Sequence, residues 1–139
     1  MALWLFKQEP DCYSYSDLER DGETMWDGVS NALARKHLRT VAVGDRIWFY
    51  HTGKEKAVVG EMIATGEPMI DPTSDDPKSV VLKVAPVQKL AKVVTLAAIK
   101  KDEMLKACDL VRLPRLSVMP LTPEQWQRIE QLSGGSGKS

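Results

Sequence analysis

The chain has 139 residues, 43% hydrophobic and 27% charged, with 19 Lys and Arg balancing 19 Asp and Glu. That length fits one domain able to fold without metal or disulfide, and the composition is too apolar for a disordered chain. A formal net charge of zero excludes a polybasic coat that would hold nucleic acid by whole-molecule charge.

In chain order, Trp4-Leu5-Phe6 reads as a short buried strand ended by Pro10. Ser16-Asp17-Leu18-Glu19 has capping-box spacing, which predicts a short helix from Ser16 to about Gly22. A second helix is expected from Ser30 to about Thr40, with Asp27 or Ser30 as its cap. Val29, Leu33, Leu38 and Val41 form its inner side and leave Arg35, Lys36 and Arg39 for solvent or a ligand. Arg46 to Tyr50 is dense in strand formers, and a turn at Thr52–Lys56 leads into a strand from Ala57 to about Thr65. Residues 66–79 hold three prolines and read as loop. Ser79–Val87 reads as a strand with Val80, Leu82 and Val84 on one face and Pro86 at an end or edge. A third helix is expected from Thr95 to about Lys106, then an extended segment, Leu110–Val118, broken by Pro114. Thr122-Pro123-Glu124-Gln125 is a second capping box, and Trp126, Ile129 and Leu132 line one face of the helix it starts. Residues 133–139 read as a flexible Gly/Ser tail after a domain of residues 1–132.

The charge is segregated. Residues 1–27 carry seven acids against Lys7 and Arg20, and residues 66–79 four acids against Lys78. Residues 28–65 are net +3 and residues 80–119 net +5. Two basic segments could converge on one face or simply be solvated. No apolar run approaches the length of a membrane span, and the N-terminus lacks the basic region of a signal peptide. The expectation is a protein that is not secreted, cytoplasmic in a bacterium and nuclear in a eukaryote. Cys12 and Cys108 are far apart and fit two free thiols in a reducing compartment.

Little here supports catalysis. Gly137-Lys138-Ser139 imitates the end of a phosphate-binding loop, but Leu132 stands where that motif needs its first glycine. Two histidines and two distant cysteines match no zinc spacing, so no metal or cofactor is expected. The nine aromatics, however, are grouped, and Trp26 sits in a polar setting, Trp26-Asp27-Gly28-Val29-Ser30-Asn31. An indole beside an acid, an amide and helix N-terminal N–H groups can receive a flat polar ring; equally, Trp26 could be a core residue and Asp27 only a cap.

Several blocks in order resemble the EVE domain, a PUA-like family: Trp4-Leu5-Phe6-Lys7-Gln8-Glu9-Pro10, Tyr15-Ser16 and Leu18, Trp26 to Asn31 with Ala34-Arg35, Leu38-Arg39, and Gly44-Asp45 with Phe49-Tyr50-His51. Val111 to Val118, Pro120-Leu121 and Trp126 resemble its C-terminal signature. The likeness covers about residues 1–132. It implies an α+β, PUA-like fold, a strongly bent β-barrel of about five or six strands with short peripheral helices. It also implies a non-catalytic pocket for a flipped modified base, such as methylcytosine, of DNA or RNA. By position, Lys7, Gln8 and Glu9 would line that pocket beside Trp26, Asp27, Ser30 and Asn31. Phe49, His51 and Thr52 would close it, with Arg115, Leu116 and Ser117 opposite. Apart from the resemblance, the basic residues Arg35, Lys36 and Arg39 of the second helix, with Arg112 or Arg115, are expected to meet flanking phosphates.

Five positions depart from the family pattern: Gln8 for a usual Ser, Ser30 for Arg, Ala32-Leu33 for Tyr-Gln, and Thr52 for a frequent Ser. A nucleic-acid partner, no membrane and a monomer are expected. A generic RNA-binding module, a small-molecule or nucleotide enzyme, and a protein-interaction module are the alternatives.

Overall fold

A computed structural model describes residues 2–29 and 31–134. The elements are β1 (Leu3–Gln8), α1 (Tyr15–Asp21), β2 (Thr24–Trp26), α2 (Ala32–Leu38), β3 (Arg46–His51) and β4 (Ala57–Ala64). They continue as β5 (Met69–Ile70), β6 (Val80–Thr95), α3 (Leu96–Lys101), α4 (Asp109–Arg112), β7 (Val118–Leu121) and α5 (Pro123–Leu132). The strands form one curled mixed sheet in the order β2-β6-β4-β3-β1-β7, with β5 paired to β6. The expected α+β fold with a bent sheet and short helices is what the chain adopts, with seven strands among the described residues instead of five or six.

β1 and β3 run parallel, Phe6 against Phe49 and Gln8 against His51, while the other pairings are antiparallel. Parallel neighbours need a crossover, and α1, β2 and α2 provide it. The crossover therefore leaves the Gln8 end of β1 and returns to its Leu3 end, where Arg46 begins β3. Alternation along β1 and β3 sorts the core into two layers. Phe6 and Phe49 meet Trp26, at 5.4 and 5.2 Å between ring centroids. Trp48 instead stacks on Trp126 of α5 at 4.1 Å and 17°, on the sheet's other side.

Local signals differ from the outcome in several places. α1 is capped by Ser14 with Asp17 completing the box, two residues before the expected Ser16–Glu19 pair. The cap of α2 is Asn31, whose Oδ1 accepts from Ala34 N–H at 3.0 Å, and its buried residues are Ala34 and Leu38. Leu33, expected inside, is 41% exposed. β6 does not stop at Pro86: it runs to Thr95, because register shifts in its pairing with β4 absorb the proline. α3 ends at Lys101, well before Lys106, and Leu110 lies in a short helix rather than an extended segment. The box at Thr122 and Gln125 is present as read, with Pro123 in the first turn. Ser133, assigned to the tail, is buried and donates its hydroxyl to Glu130 O at 2.6 Å. The rest of the tail beyond Gly134, and Ser30, lie outside the described residues. Cys12 is exposed, Cys108 buried, and both are free.

Candidate nucleic-acid interface

The end of β1, the turn after it, and β2 enclose a cavity of about 270 Å³. Its walls are Gln8, Cys12, Tyr13, Thr24, Met25, Trp26 and Asp27. The turn is shaped by Glu9, whose carbonyl accepts from the N–H groups of Cys12 and Tyr13 at 3.0 and 2.9 Å. Gln8 Oε1 accepts from Glu9 N–H at 3.0 Å, which fixes the amide's orientation and leaves its NH₂ to donate elsewhere. Tyr13 OH donates to Asp21 Oδ2 at 2.9 Å, and the Cys12 thiol lies 3.7 Å from Glu9 Oε2. Gly28, at φ +73, lets the chain turn sharply after Asp27, whose side chain is exposed.

Trp26 is only 3% exposed, so it forms the cavity's apolar wall while most of its ring belongs to the core with Phe6 and Phe49. Phe49, fully buried, lies behind that wall. His51 and Thr52 tie the cavity's surroundings together. Tyr15 N–H donates to His51 Nε2 at 3.0 Å. A backbone amide can only donate, so the imidazole proton resides on Nδ1, which faces Glu55 Oε1 at 2.6 Å. Thr52 N–H donates to Gln8 O at 3.0 Å. Lys7 points to the opposite side of the sheet from Gln8. Its Nζ donates to Pro114 O at 2.8 Å and lies 5.8 Å from the centre of the Tyr50 ring, and burial lowers its pKa. Lys7 N–H donates to Ser117 O at 2.9 Å, which fastens the Arg115–Ser117 segment to β1.

A second cavity, about 330 Å³, lies between the start of α2 and the loop joining α4 to β7. Asn31, Leu33, Arg112, Leu113, Pro114, Arg115 and Leu116 line it. Thus Asn31, Leu116 and Arg115, expected around the Trp26 pocket, gather at this neighbouring cavity instead. Arg112 pairs with Asp109 at 2.8 Å, whereas Arg115 makes no ion pair among the described residues.

The basic helix is less available than its composition suggests. Arg35 Nε donates to Val29 O at 2.7 Å, and its NH2 pairs with Asp76 at 2.9 Å. Lys78 N–H and Arg35 hold the Asp76 carboxyl below the usual carboxylate range. Arg39 reaches Lys78 O at 3.4 Å, and Lys36 is exposed. The acidic loop 66–79 therefore lies against this helix and covers part of its charge.

Sequence reasoning did not single out Cys12, Tyr13, Thr24 and Met25 at the first cavity, or Leu33, Leu113 and Pro114 at the second. Only proximity to Gln8 and Trp26 in the chain hinted at the former group, and the latter comes together through the packing of α2 against β7. Among the described residues there is no group of three His, Cys, Asp or Glu suited to a metal ion, and no helix is long and apolar enough to cross a membrane.

Known proteins resemble this chain throughout its length. Human thymocyte nuclear protein 1 is 31% identical over an alignment covering 93% of this chain and 72% of that protein. A solved Pseudomonas putida protein is 38% identical, with a TM-score of 0.88 over 95% of this chain and 99% of its own. The human THYN1 protein, solved in complex with DNA containing 5-methylcytosine, is 29% identical with a TM-score of 0.88, covering 96% of this chain and 98% of that one. The EVE domain model matches residues 2–132, and with the PUA-like curled sheet in hand the chain belongs to the EVE domain family.

Proposed function

We propose that the chain is a non-catalytic nucleic-acid reader that takes one extruded, modified base of DNA or RNA into the cavity between Gln8 and Trp26. The observation that carries this reading is the make-up of that cavity: an indole wall, a side-chain amide with its NH₂ free to donate, and an exposed carboxylate. Its volume suits one base rather than an extended ligand. Asp27 would accept from an exocyclic amino group, Gln8 would donate to a ring nitrogen or carbonyl, and Trp26 with Met25 would contact a methyl substituent. That pattern of one donor beside acceptors is the pattern of a cytosine edge. The similar human THYN1 protein was solved with DNA containing 5-methylcytosine, which supports the same partner class here.

Extrusion from a duplex costs a few kcal/mol, so single strands or weakened pairs are preferred. Lys36, Arg39 and Arg115 meet flanking phosphates, and binding weakens with salt. His51, Thr52 and Glu9 shape the site through the contacts described above, and Lys7 braces the neighbouring loop.

The test is titration of short single strands carrying one 5-methylcytosine or one cytosine. Gln8→Ala and Asp27→Asn are the informative variants, because Trp26 is too deeply packed to change without disturbing the fold. Each should weaken binding of the methylated strand roughly tenfold while leaving thermal stability unchanged. Variants that bind as tightly as the wild type, or a wild type that binds neither strand, would defeat the reading. Turnover of a modified nucleoside would replace it with an enzyme.

A further inference from the structure

We infer that the cavity between α2 and the loop joining α4 to β7 is a second nucleotide subsite, holding the residue that flanks the extruded base; this rests on the reading above. Its floor is apolar and open. Leu33 is 41% exposed and Leu113 36% exposed, with Pro114 and the buried Leu116 completing the surface. Leu33 is notable because α2 turns its Ala34 and Leu38 inward and leaves this leucine to solvent at the cavity's edge. Arg115 stands over the same floor with no ion-pair partner among the described residues.

An apolar floor beneath an unneutralised guanidinium suits a ligand with a flat face and an attached anion. A nucleotide has both: its base or sugar lies on leucine and proline, and its phosphate meets the arginine. An inorganic phosphate alone would leave the floor unused.

Position argues for a flanking nucleotide rather than an unrelated ligand. Lys7, bonded to Pro114 O at 2.8 Å, immediately precedes Gln8, which lines the base cavity. Asn31 lines the second cavity four positions after Asp27 lines the first. Both cavities therefore lie beside the last residues of β1 and the β2–α2 connection, the placement that neighbouring nucleotides of one strand would require.

The experiment uses a short single-stranded DNA with one central 5-methylcytosine, intact or abasic at the position just before or just after it. The wild type should lose roughly fivefold in affinity when one flanking base is removed, and little when the other is. Leu113→Ala should weaken the intact strand to a similar extent and become indifferent to that same abasic site. Arg115→Gln should flatten the dependence of log affinity on log salt by about 0.7. Both variants should keep the preference for the methylated strand. The subsite alone is overturned if that preference persists while both variants match the wild type in affinity, abasic response and salt slope. A wild-type chain that binds no strand overturns the subsite and the base-reading assignment together.

Discussion

The Trp26 indole meets the Phe49 ring edge to face, with centroids 5.2 Å apart and planes at 85°. Phe49 belongs to β3 and Trp26 is the last residue of the edge strand β2, so this contact anchors the wall of the Gln8–Trp26 cavity in the centre of the sheet. The Phe6 ring completes the cluster at 5.4 Å. Under the proposed function such a wall is pre-positioned, so the indole itself would not have to be ordered on binding.

The same contact makes Trp26 a stability residue. Trp26→Ala should lower the unfolding free energy by about 3–5 kcal/mol, the usual range for a large aromatic removed from a core. Gln8→Ala, across the cavity, should stay within about 0.5 kcal/mol of wild type. Urea unfolding of both variants checks this. Equal midpoints for Trp26→Ala and wild type would mean that the indole is not part of the core.

Arg35 and Asp76 suggest how the acidic loop affects binding. The pair is partly exposed, at 45% for the Asp76 side chain, so its contribution to stability is small. Asp76→Asn should leave the melting temperature almost unchanged but release Arg35 beside Lys36. Affinity for a single-stranded oligonucleotide should then rise and its salt slope steepen by about 0.7, one additional phosphate contact. Salt-dependent titration measures both. An unchanged slope would place Arg35 outside the nucleic-acid path.

Residue patterns alone were most informative where the deciding contacts are local. Thr122, Pro123 and Gln125 start α5 through bonds that span three residues, so the helix start could be read directly. Ser14–Asp17 and Ser16–Glu19 have the same spacing, and nothing local separates them; the choice falls to Ser14 because Tyr15 is then buried against β4 with its hydroxyl on Glu61 O. Pro86 reads as a strand end, yet the bulge that accommodates it depends on the register of β4. The candidate site divides similarly. Trp26 and Asp27 stand out from their neighbours in the chain and Gln8 only through the family resemblance, whereas Tyr13, Leu33 and Leu113 come to line a cavity only when separate segments meet.

Tyr15 and Gly60 form a second pair with a measurable consequence. A Cβ at Gly60 would sit 2.5 Å from the Tyr15 ring, so the glycine is what lets that ring lie across β4. Gly60→Ala should cost about 1–3 kcal/mol by overpacking. Burial also pushes the phenols of Tyr15 and Tyr50 up to about 12 from 10.0. The folded state thus favours the neutral phenols, and their contribution is complete below pH 10 and lost as the pH rises toward 12. Denaturant titrations on the alkaline side should show that decline, and Tyr15→Phe should reduce it. A decline of the same size in Tyr15→Phe would remove Tyr15 as a source.

On the acidic side the corresponding group is Asp102, at the C-terminal end of α3. Its Oδ2 accepts from Arg128 Nε at 2.6 Å, and its Oδ1 accepts from the N–H groups of Met104 and Leu105 at 3.0 and 3.3 Å. Burial opposes ionisation, but the Arg128 guanidinium and the two amides outweigh it and hold the carboxyl below its ordinary value of 3.8. A depressed folded pKa stabilises the protein above the ordinary carboxylate range, and this contribution disappears as pH falls through the folded value. Asp102→Asn keeps an oxygen for the amides and loses the charge that Arg128 meets, so it should cost about 1–2 kcal/mol at neutral pH. The difference from wild type should shrink as the pH is lowered, because both chains then present a neutral group at position 102. Chemical denaturation across the acid range tests the point, and a difference that stays constant with pH would assign the effect to packing instead of charge.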